Sequence, residues 1–325
     1  MLKLPIKLGF PMGNTVKIED YQREKKPPTP KDEMIQGLMH NQSLRIAICR
    51  VTDTVKKAQE LHQLDPITTI ALGRALGACA VMGSTLKKED AYVQCHFKAE
   101  GAYINNILAE YIQPGSLRGF VNPSQISSQI SSVDTAPQSI GDALGNNGTL
   151  SVKIGHKSAN NPYTAICNLQ TGEIAEDIAH YYLESEQLPT ILGAGVHLSK
   201  SGEVLGAGAI LIQKIAGDDD IDEEILEHYE QQVSDNLHLS EKLAEGESLR
   251  KILSDISVVG DPEPNIQAQP LGFNCFCSHQ RMAMALLSLG EEELRRTELE
   301  TGKLETVCHF CSKTYNFTVE QLLRH

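Results

Sequence analysis

Four cysteines near the end of the sequence have the spacing of a metal site. Cys275 and Cys277 flank one residue, 30 residues follow, and Cys308 and Cys311 then flank two. Zinc in structural sites takes four ligands at the corners of a tetrahedron, and closely spaced pairs of thiolates supply that geometry. Two such pairs in one stretch are much more specific than a single pair. The sequence therefore predicts one Zn²⁺ held by all four sulfurs.

The residues around the cysteines predict the elements that position them. Strand-forming residues at Leu304–Val307 and Thr314–Phe317 flank the second pair, which predicts a hairpin with this pair at its tip. Ser278 is a favourable N-cap for a helix after the first pair, and Glu291–Leu299 predicts another helix. A tail of roughly 60 residues builds only a small core, and a metal commonly stabilises domains of this size.

The same sulfurs suit either a structural or a reactive site. Four thiolates on one Zn²⁺ carry a net charge of about −2, so they remain deprotonated and react with oxidants. Both spacings also allow two sulfurs to approach for a disulfide, although a single intervening residue makes this tight. His279 and His309 are nearby alternative ligands, but four cysteines already complete a tetrahedron. The residues alone leave open whether the metal has a purely structural role or whether the site responds to oxidation.

Composition limits the class of protein. The 325 residues suffice for a large and a small domain, and 41% hydrophobic with 22% charged residues is typical of soluble proteins. A net charge of −13 argues against a nucleic-acid partner, which would need a basic surface. Ile67–Ser84 is strongly apolar, but Arg74 in its middle predicts a buried helix rather than a membrane span. Pro5 and Pro11 argue against a secretory signal, so we expect a reducing, cytoplasmic environment for the cysteines.

Strand candidates occur in runs rather than alternating with helices, so the predicted fold class is α+β. The strand candidates are 43–51, 91–98, 102–110, 117–121, 149–154, 163–169 and 204–213, and helices are predicted from 54, from 66 and over 173–185. We divide the chain into an N-terminal extension (1–37), a large core domain of mixed sheet and helix (38–216), an acidic helical linker (217–264) and a small zinc domain (265–325).

One segment carries almost the whole negative charge. Asp218–Glu263 contains 15 acidic and 3 basic side chains, a local balance of −12. Apolar residues within it recur at helical spacing, first as Ile221, Ile225, Tyr229 and Val233 and then as Leu249, Ile252, Leu253 and Ile256. Self-repulsion weakens such amphipathic helices when nothing holds them down. An ordinary solvated helical face fits the charge pattern equally well.

Other patterns give no support for catalysis. Gly193-Ala-Gly195 and Gly206-Ala-Gly208 begin like a dinucleotide-binding fingerprint, but its third glycine is missing. No phosphate-binding loop or common hydrolase motif occurs in the sequence, so we predict neither ATP use nor such an enzyme activity. The remaining cysteines are predicted to be small core residues rather than sensors: Cys49, Cys79, Cys95 and Cys167.

Several segments resemble those of one known family. The arrangement of Cys275, Cys277, Cys308 and Cys311 is similar to the zinc motif of the redox-regulated heat shock protein thirty-three family, the 33 kDa chaperonins. Further segments that resemble this family are Leu72–Arg74, Leu117–Phe120, Asn122–Pro123, Gly172–Ala179, Tyr181–Thr190 and Ala207–Gln213. The resemblance runs from about residue 38 to the end of the sequence, whereas residues 1–37 have no recognised counterpart.

The resemblance implies an ATP-independent holdase chaperone rather than an enzyme. The reduced form would be inactive with one Zn²⁺ per chain, and oxidation would form disulfides Cys275–Cys277 and Cys308–Cys311 and release the metal. The zinc domain would unfold, and the linker, having lost its docking partner, would follow and bind unfolded or oxidatively damaged client proteins. A homodimer is expected after oxidation, with no nucleic acid or membrane as partner. The expected client-binding residues are Ile221, Ile225, Tyr229, Leu249, Ile252 and Leu253.

Two other classes of function fit parts of the sequence. One is a constitutive zinc module, which would bind a protein partner equally in both redox states. The other is a thiol oxidoreductase that cycles Cys308 and Cys311 and would turn over a dithiol substrate. Strand-forming residues flank this pair, whereas a thioredoxin-like motif lies at a strand-to-helix junction, which counts against the oxidoreductase.

Overall fold

Two large sheets enclose one long helix. The computed structural model describes residues 30–40, 42–100, 103–123, 137, 139–158, 161–215, 223–236, 238–258 and 265–323. The strands are β1 (Glu33–Met39), β2 (Leu44–Arg50), β3 (Ala91–Ala99), β4 (Ile104–Ile112), β5 (Ser116–Pro123), β6 (Gly148–His156), β7 (Tyr163–Asn168), β8 (Thr190–Leu198), β9 (Val204–Lys214), β10 (Gln267–Pro270), β11 (Gly272–Phe273), β12 (Leu304–Val307) and β13 (Thr314–Phe317). The helices are α1 (Thr52–His62), α2 (Pro66–Met82), α3 (Ile140–Leu144), α4 (Ile174–Tyr181), α5 (Glu223–Gln231), α6 (Leu239–Glu245), α7 (Leu249–Ile256), α8 (His279–Leu287), α9 (Glu291–Thr301) and α10 (Val319–Leu323).

The strands form a five-stranded sheet, a six-stranded sheet and a hairpin. The first sheet has the order β10-β1-β2-β9-β8, and the second has the order β11-β5-β4-β3-β6-β7. Neighbouring strands are antiparallel, except that β11 runs parallel to β5. β12 and β13 form the separate hairpin. The predicted α+β class is confirmed, because helices are grouped around the sheets rather than alternating with the strands.

Helix α2 lies between the sheets and forms the centre of the core. Asp65 caps it by accepting a hydrogen bond from the Thr68 N–H at 2.9 Å, and Pro66 occupies the first turn, where no N–H is needed. The stretch Pro66–Thr85 is long and apolar enough to span a membrane, yet 78% of its apolar window is buried inside the protein. The predicted buried helix is confirmed.

The charge in the middle of α2 has a partner. Arg74 pairs with Glu173 at the start of α4, and these side chains are only 29% and 26% exposed. Glu173 also accepts a hydrogen bond from the Gly141 N–H at 3.0 Å, at the start of α3. One carboxylate therefore fixes three helices relative to each other, and it joins two of the segments that carry the family resemblance.

The linker helices α5, α6 and α7 cover the outer face of the five-stranded sheet. The buried side chains of the linker are Tyr229, Leu239, Leu243, Leu249, Ile252, Leu253 and Ile256, and those of the sheet are Ile35, Met39, Leu44, Ile46, Ile48, Ile210 and Ile212. Ile225 and Val233 pack against this cluster and are partly buried. Both predicted helical stripes are confirmed where the structure describes them, while Ile221 lies outside the described residues.

The linker packs mainly on the five-stranded sheet, and Ile266 is the one described residue of the predicted zinc domain (265–325) that packs against the same apolar cluster. The apolar cluster that holds the linker joins it to the sheet, and among the described residues it contains none of the four-cysteine domain (275–323). The physical reason is that the sheet offers a broad face of isoleucine side chains, whereas the apolar side chains of the four-cysteine domain fill a core of their own.

Two pairs of glycines let the linker approach the sheet closely. A Cβ atom at Gly206 would lie 2.2 Å from the Ser240 carbonyl oxygen, and one at Gly208 would lie 2.5 Å from the Leu243 side chain. On β8, a Cβ atom at Gly193 would lie 2.7 Å from the side chain of Val233. The Gly-Ala-Gly motifs that resembled half of a dinucleotide fingerprint therefore provide a surface on which the linker helices pack closely.

The structure contains strands that the sequence did not predict. β1 begins at Glu33, so residues 33–37, which we assigned to the N-terminal extension, belong to the five-stranded sheet. β8 was missed because its glycines interrupt the strand pattern. β10 and β11, at the start of the predicted zinc domain, pair with the two core sheets. Strands that are covered on both faces lose the polar alternation that reveals a strand in sequence. Residues 1–29 lie outside the described residues.

We predict that Gly206→Ala displaces the linker. The new Cβ atom would overlap the backbone of α6, and overpacking of this kind costs about 1–3 kcal/mol. Limited proteolysis of the reduced, metal-loaded protein should therefore show faster cleavage within 223–258. Leu205→Ala is the control, because this neighbouring side chain is 40% exposed and should leave cleavage unchanged. Equal cleavage of Gly206→Ala and the unmodified protein would contradict the close packing.

Candidate metal centre

The four predicted sulfurs lie together. All four Sγ atoms lie within 4.8 Å of one another. The sulfur of Cys275 lies 3.6 Å from that of Cys308, and the sulfur of Cys277 lies 3.4 Å from that of Cys311. Four sulfurs bound at 2.3 Å to one tetrahedral zinc would lie about 3.8 Å apart, so this cluster has the size that a metal ion needs. None of the eight cysteines, all of which the structure describes, is in a disulfide.

Two backbone turns present these sulfurs. The first pair follows β11, and the Ser278 hydroxyl then accepts a hydrogen bond from the Arg281 N–H at 3.2 Å and caps α8. The second pair lies at the tip of the β12–β13 hairpin. There the Cys308 N–H donates to the Lys313 carbonyl at 3.0 Å, and the Ser312 N–H donates to the Cys308 carbonyl at 2.8 Å. The predicted helix cap and hairpin are both confirmed.

The sulfurs belong to the only apolar core that the described part of this domain has. Its buried residues are Ala283, Leu294, Leu304, Cys308, Tyr315, Phe317, Val319 and Leu322, with Cys275, Cys277 and Cys311 packed against them. So few buried side chains provide little stability without further cross-links. A bound metal would therefore supply much of the folding free energy of this domain.

Hydrogen bonding makes one sulfur easier to ionise than its neighbours. Burial raises the pKa of Cys275 and of Cys311 above that of an ordinary thiol. Burial also opposes ionisation of Cys277, but hydrogen bonds from the Tyr315 hydroxyl, at 3.1 Å, and from the neighbouring thiols outweigh it and lower its pKa to about 7. Cys277 therefore carries negative charge more readily than Cys275 or Cys311.

The aromatic residues between the ligands contact the core domain. The ring of Phe276 lies 4.6 Å from the Lys157 ammonium and 5.7 Å from the Arg118 guanidinium. The ring of Phe310 lies 4.1 Å from the same guanidinium and 5.5 Å from the ring of Phe120. Contacts of these kinds contribute about 0.5–2 kcal/mol each. The turns that present the sulfurs therefore also hold the four-cysteine domain on the six-stranded sheet.

A histidine completes this docking contact. His62, at the end of α1, places Nε2 3.1 Å from the Phe310 carbonyl oxygen and Nδ1 3.3 Å from the Ser312 hydroxyl. Burial lowers the pKa of His62, which favours the neutral ring. In that form Nε2–H donates to the carbonyl and Nδ1 accepts from the hydroxyl. The hairpin tip is thus held by both apolar and polar contacts.

The other sequence candidates have different environments. His279 stacks on Phe317 at 4.3 Å and His309 faces Phe120 at 5.5 Å, and neither belongs to the sulfur cluster. The four remaining cysteines are buried in the core between the sheets, as predicted: Cys49, Cys79, Cys95 and Cys167. The expected client-binding residues that are fully buried against the sheet are Tyr229, Leu249, Ile252 and Leu253.

The docking residues were missed by the sequence analysis. Arg118 and Phe120 lie in a segment noted as a strand candidate and for its family resemblance, and Phe276 and Phe310 were treated as spacers between ligands. A large aromatic residue between two metal ligands is not needed for ligation, so its presence there is a signal of a contact surface.

Comparisons with known proteins agree with this architecture. The family model described as Hsp33 protein matches residues 32–318. The 33 kDa chaperonin of Thermoanaerobacter sp. (strain X514) is 35% identical over 288 residues, 88% of this chain and 94% of that protein. The 33 kDa chaperonin of Bacillus subtilis (strain 168) is 31% identical over 292 residues, 90% of this chain and 97% of that protein. A crystal structure of the 33 kDa chaperonin from Thermotoga maritima matches with a TM-score of 0.77 and 28% identity, covering 91% of this chain and 97% of that one.

The chain combines a two-sheet core, a helical linker and a four-cysteine domain that could hold a metal ion. This architecture places it in the same class of protein as the chaperonins described above. The chain belongs to the Hsp33 family. The resemblance found in the sequence is therefore confirmed. The names of the relatives support a chaperone role rather than an enzymatic one.

We predict that Tyr315→Phe weakens metal binding. The substitution removes the hydroxyl that donates to the Cys277 sulfur and leaves the ring in place. Loss of an outer hydrogen bond to a ligand typically lowers metal affinity about 10–100-fold. Competition with a chromophoric zinc chelator measures this change. Tyr163→Phe is the control, since Tyr163 is 50% exposed on β7 and should leave the affinity unchanged. Equal affinities for both variants would refute the role of the hydroxyl.

A second prediction concerns the docking contact. Phe120→Ala removes the ring beneath the hairpin tip without touching a ligand, so zinc should still bind with one ion per chain. Hydrogen exchange within 304–317 should nevertheless become faster, because the hairpin loses its support. Ile166→Ala, at a 67% exposed position of the same sheet, is the matched control. Unchanged exchange in Phe120→Ala would show that the aromatic contacts do not hold the domain.

Proposed function

We propose that this chain is a redox-regulated, ATP-independent holdase chaperone of the cytoplasm. The observation that carries the proposal is that the four candidate ligands and the residues that dock their domain alternate along the same two turns. Any change in the bonds of the sulfurs must therefore move Phe276 and Phe310. The chemistry of the sulfurs and the attachment of the domain are coupled by a few covalent bonds.

An all-sulfur set of four ligands suits Zn²⁺ and fits the cluster described above. When bound, the ion would supply on the order of 10–16 kcal/mol of apparent folding free energy, as much as a whole domain usually has. Cys275, Cys277, Cys308 and Cys311 would hold one ion per chain in the reduced state.

Oxidation would remove the four ligands. In the pairing that the family resemblance implies, Cys275 bonds to Cys277 and Cys308 to Cys311. Each new S–S bond takes two electrons from a pair of thiolates, and hydrogen peroxide accepts these electrons together with two protons from solvent and is reduced to two water molecules. Disulfide sulfurs no longer carry the charge that attracts a metal. The small core of the domain would then unfold, and the turns bearing Phe276 and Phe310 would leave the six-stranded sheet.

Opening of the domain would release the linker from the sheet, because residues 265–274 connect the linker to Cys275 and Ile266 packs against the same apolar cluster as the linker. The linker's negative charge opposes its own docking, so its apolar contacts with the sheet are needed to retain it. Release would expose two apolar surfaces, the isoleucine face of the sheet and the linker stripe that carries Ile225, Tyr229, Leu249, Ile252 and Leu253. Unfolded or oxidatively damaged proteins would bind these surfaces, while the acidic side chains keep the open protein soluble. Exposed sheet and linker would also favour the homodimer expected after oxidation.

The proposal predicts that only the oxidised protein prevents aggregation. Light scattering of a heat-unfolding client is recorded with reduced, zinc-loaded protein and with peroxide-treated protein, and zinc release is followed in parallel. Suppression should accompany zinc release. Cys167→Ser, at a buried cysteine outside the cluster, should respond as the unmodified protein does. Equal suppression by both redox forms would favour a constitutive binding module, and no suppression by either form would contradict the holdase.

A further inference from the structure

The segment Gln267–Phe273, here called the strap, closes one edge of each large sheet. β10 pairs antiparallel with β1, and β11 pairs parallel with β5. Cys275 follows the strap after a single residue. The strap is therefore fastened at its C-terminal end by the candidate metal centre, and opening of that centre frees it.

Backbone hydrogen bonds fix the orientation of β10 on β1. The Leu271 N–H donates to the Asp32 carbonyl at 3.1 Å. Because backbone groups alternate along an antiparallel strand, the N–H groups of Gln267 and Gln269 also face β1, whereas the backbone of Ala268 faces outward. Within β10, Gln267 and Gln269 thus form backbone hydrogen bonds with β1, whereas Ala268 does not.

Side chains add little to this pairing. Gln267, Ala268 and Pro270 are exposed. A cleft of about 270 Å³ lies along the joint, lined by residues 31–33 and 268–270. Within β10, Gln269 donates from its amide to the Tyr111 hydroxyl and to Gln113, each at 2.9 Å. Leu271 and Phe273, which follow β10 in the strap, pack against the core between the sheets. β10 therefore stays in place largely because its neighbours in the chain, Ile266 on one side and Leu271 and Phe273 on the other, are packed, which gives β10 a high effective concentration at the edge.

Pro270 indicates that the strap protects the edge of the five-stranded sheet from pairing with a further strand. It lies at an outward-facing position of β10, where it presents no N–H to a further strand. A proline on an outer strand is a common way to prevent edge-to-edge pairing. β1 itself contains no proline, and its last three residues, Gly37–Met39, extend past the end of β10. Removal of the strap thus uncovers the four residues Glu33–Gln36, which together with Gly37–Met39 form an unprotected seven-residue edge.

We propose that the uncovered edge of β1 binds an extended segment of an unfolding client protein in place of β10. This inference rests on the proposed function and adds a second mode of client recognition, in which backbone hydrogen bonds are made by strand addition. Ala268 lies opposite Ile35, on the face that the linker covers in the closed form. A client segment with a large apolar side chain at that position would extend the isoleucine face. The small Ala268 and its exposed neighbours do not extend this face.

The test uses a fluorescent synthetic peptide with the sequence of residues 265–273. Fluorescence anisotropy measures its binding to the full-length protein in the reduced, zinc-loaded form and in the peroxide-oxidised form. The peptide should bind the oxidised form alone. N-methylation at Gln267 and Gln269 removes the donors that face β1 and should weaken binding at least tenfold. N-methylation at Ala268, whose N–H faces outward, is the matched control and should leave binding unchanged.

A saturating amount of the unmodified peptide should also raise the light scattering of a client protected by the oxidised protein, because the peptide and the client compete for β1.

Equal binding to both redox forms, or equal binding of the two N-methylated peptides, would overturn the edge site. Binding without any effect on the client would overturn the client as occupant. Binding that weakens as the protein concentration rises would assign the edge to a second copy of the chain instead. In all these cases suppression of aggregation by the oxidised protein would leave the proposed function intact, whereas its absence would contradict that function separately.

Discussion

The whole arrangement depends on the proximity of four sulfurs within 4.8 Å of one another. Four thiolates at this distance repel each other strongly unless they are protonated, bonded to a metal or oxidised to disulfides. Each of these states imposes a different geometry on the two turns that carry the sulfurs. Since Phe276 and Phe310 lie inside those turns and contact Arg118 and Phe120, the proposed change in sulfur bonding would also move the contacts that hold the four-cysteine domain.

The linker is held by two opposing forces. Apolar side chains from three short helices pack on the isoleucine face of the sheet, and the glycines of β8 and β9 allow close approach. Against this contact act 15 acidic side chains with only 3 basic ones in Asp218–Glu263. Lys251 and Lys242 both pair with Asp255 on α7, which offsets a small part of the repulsion. Such a segment is suited to leave the sheet when its neighbour no longer constrains it.

The four-sulfur cluster could be predicted from the sequence, and the surface on which its domain docks could not. Cysteine spacing reports ligand geometry directly, and Ser278 and the residues around the second pair report the local elements, so the hairpin and helix cap were found. The contact of Phe120 with Phe310 joins segments that are far apart in the chain, and no local pattern encodes it. For the same reason the sheet was not predicted as the main docking surface of the linker, because an amphipathic stripe shows that a helix is covered but not what covers it. β1 and β10 were missed because strands this short or covered on both faces lack a clear period of two.

The most direct test of the central claim is hydrogen exchange measured by mass spectrometry on the full-length protein, in the reduced, zinc-loaded form and after treatment with peroxide. If the sulfur cluster holds both the four-cysteine domain and the linker, protection should be lost over 223–256 and over 275–317 together. Protection over β2 and β3 should remain, because the core between the sheets does not depend on the cluster. Loss of protection over 275–317 with a linker that stays as protected as before would contradict the coupling on which the account depends.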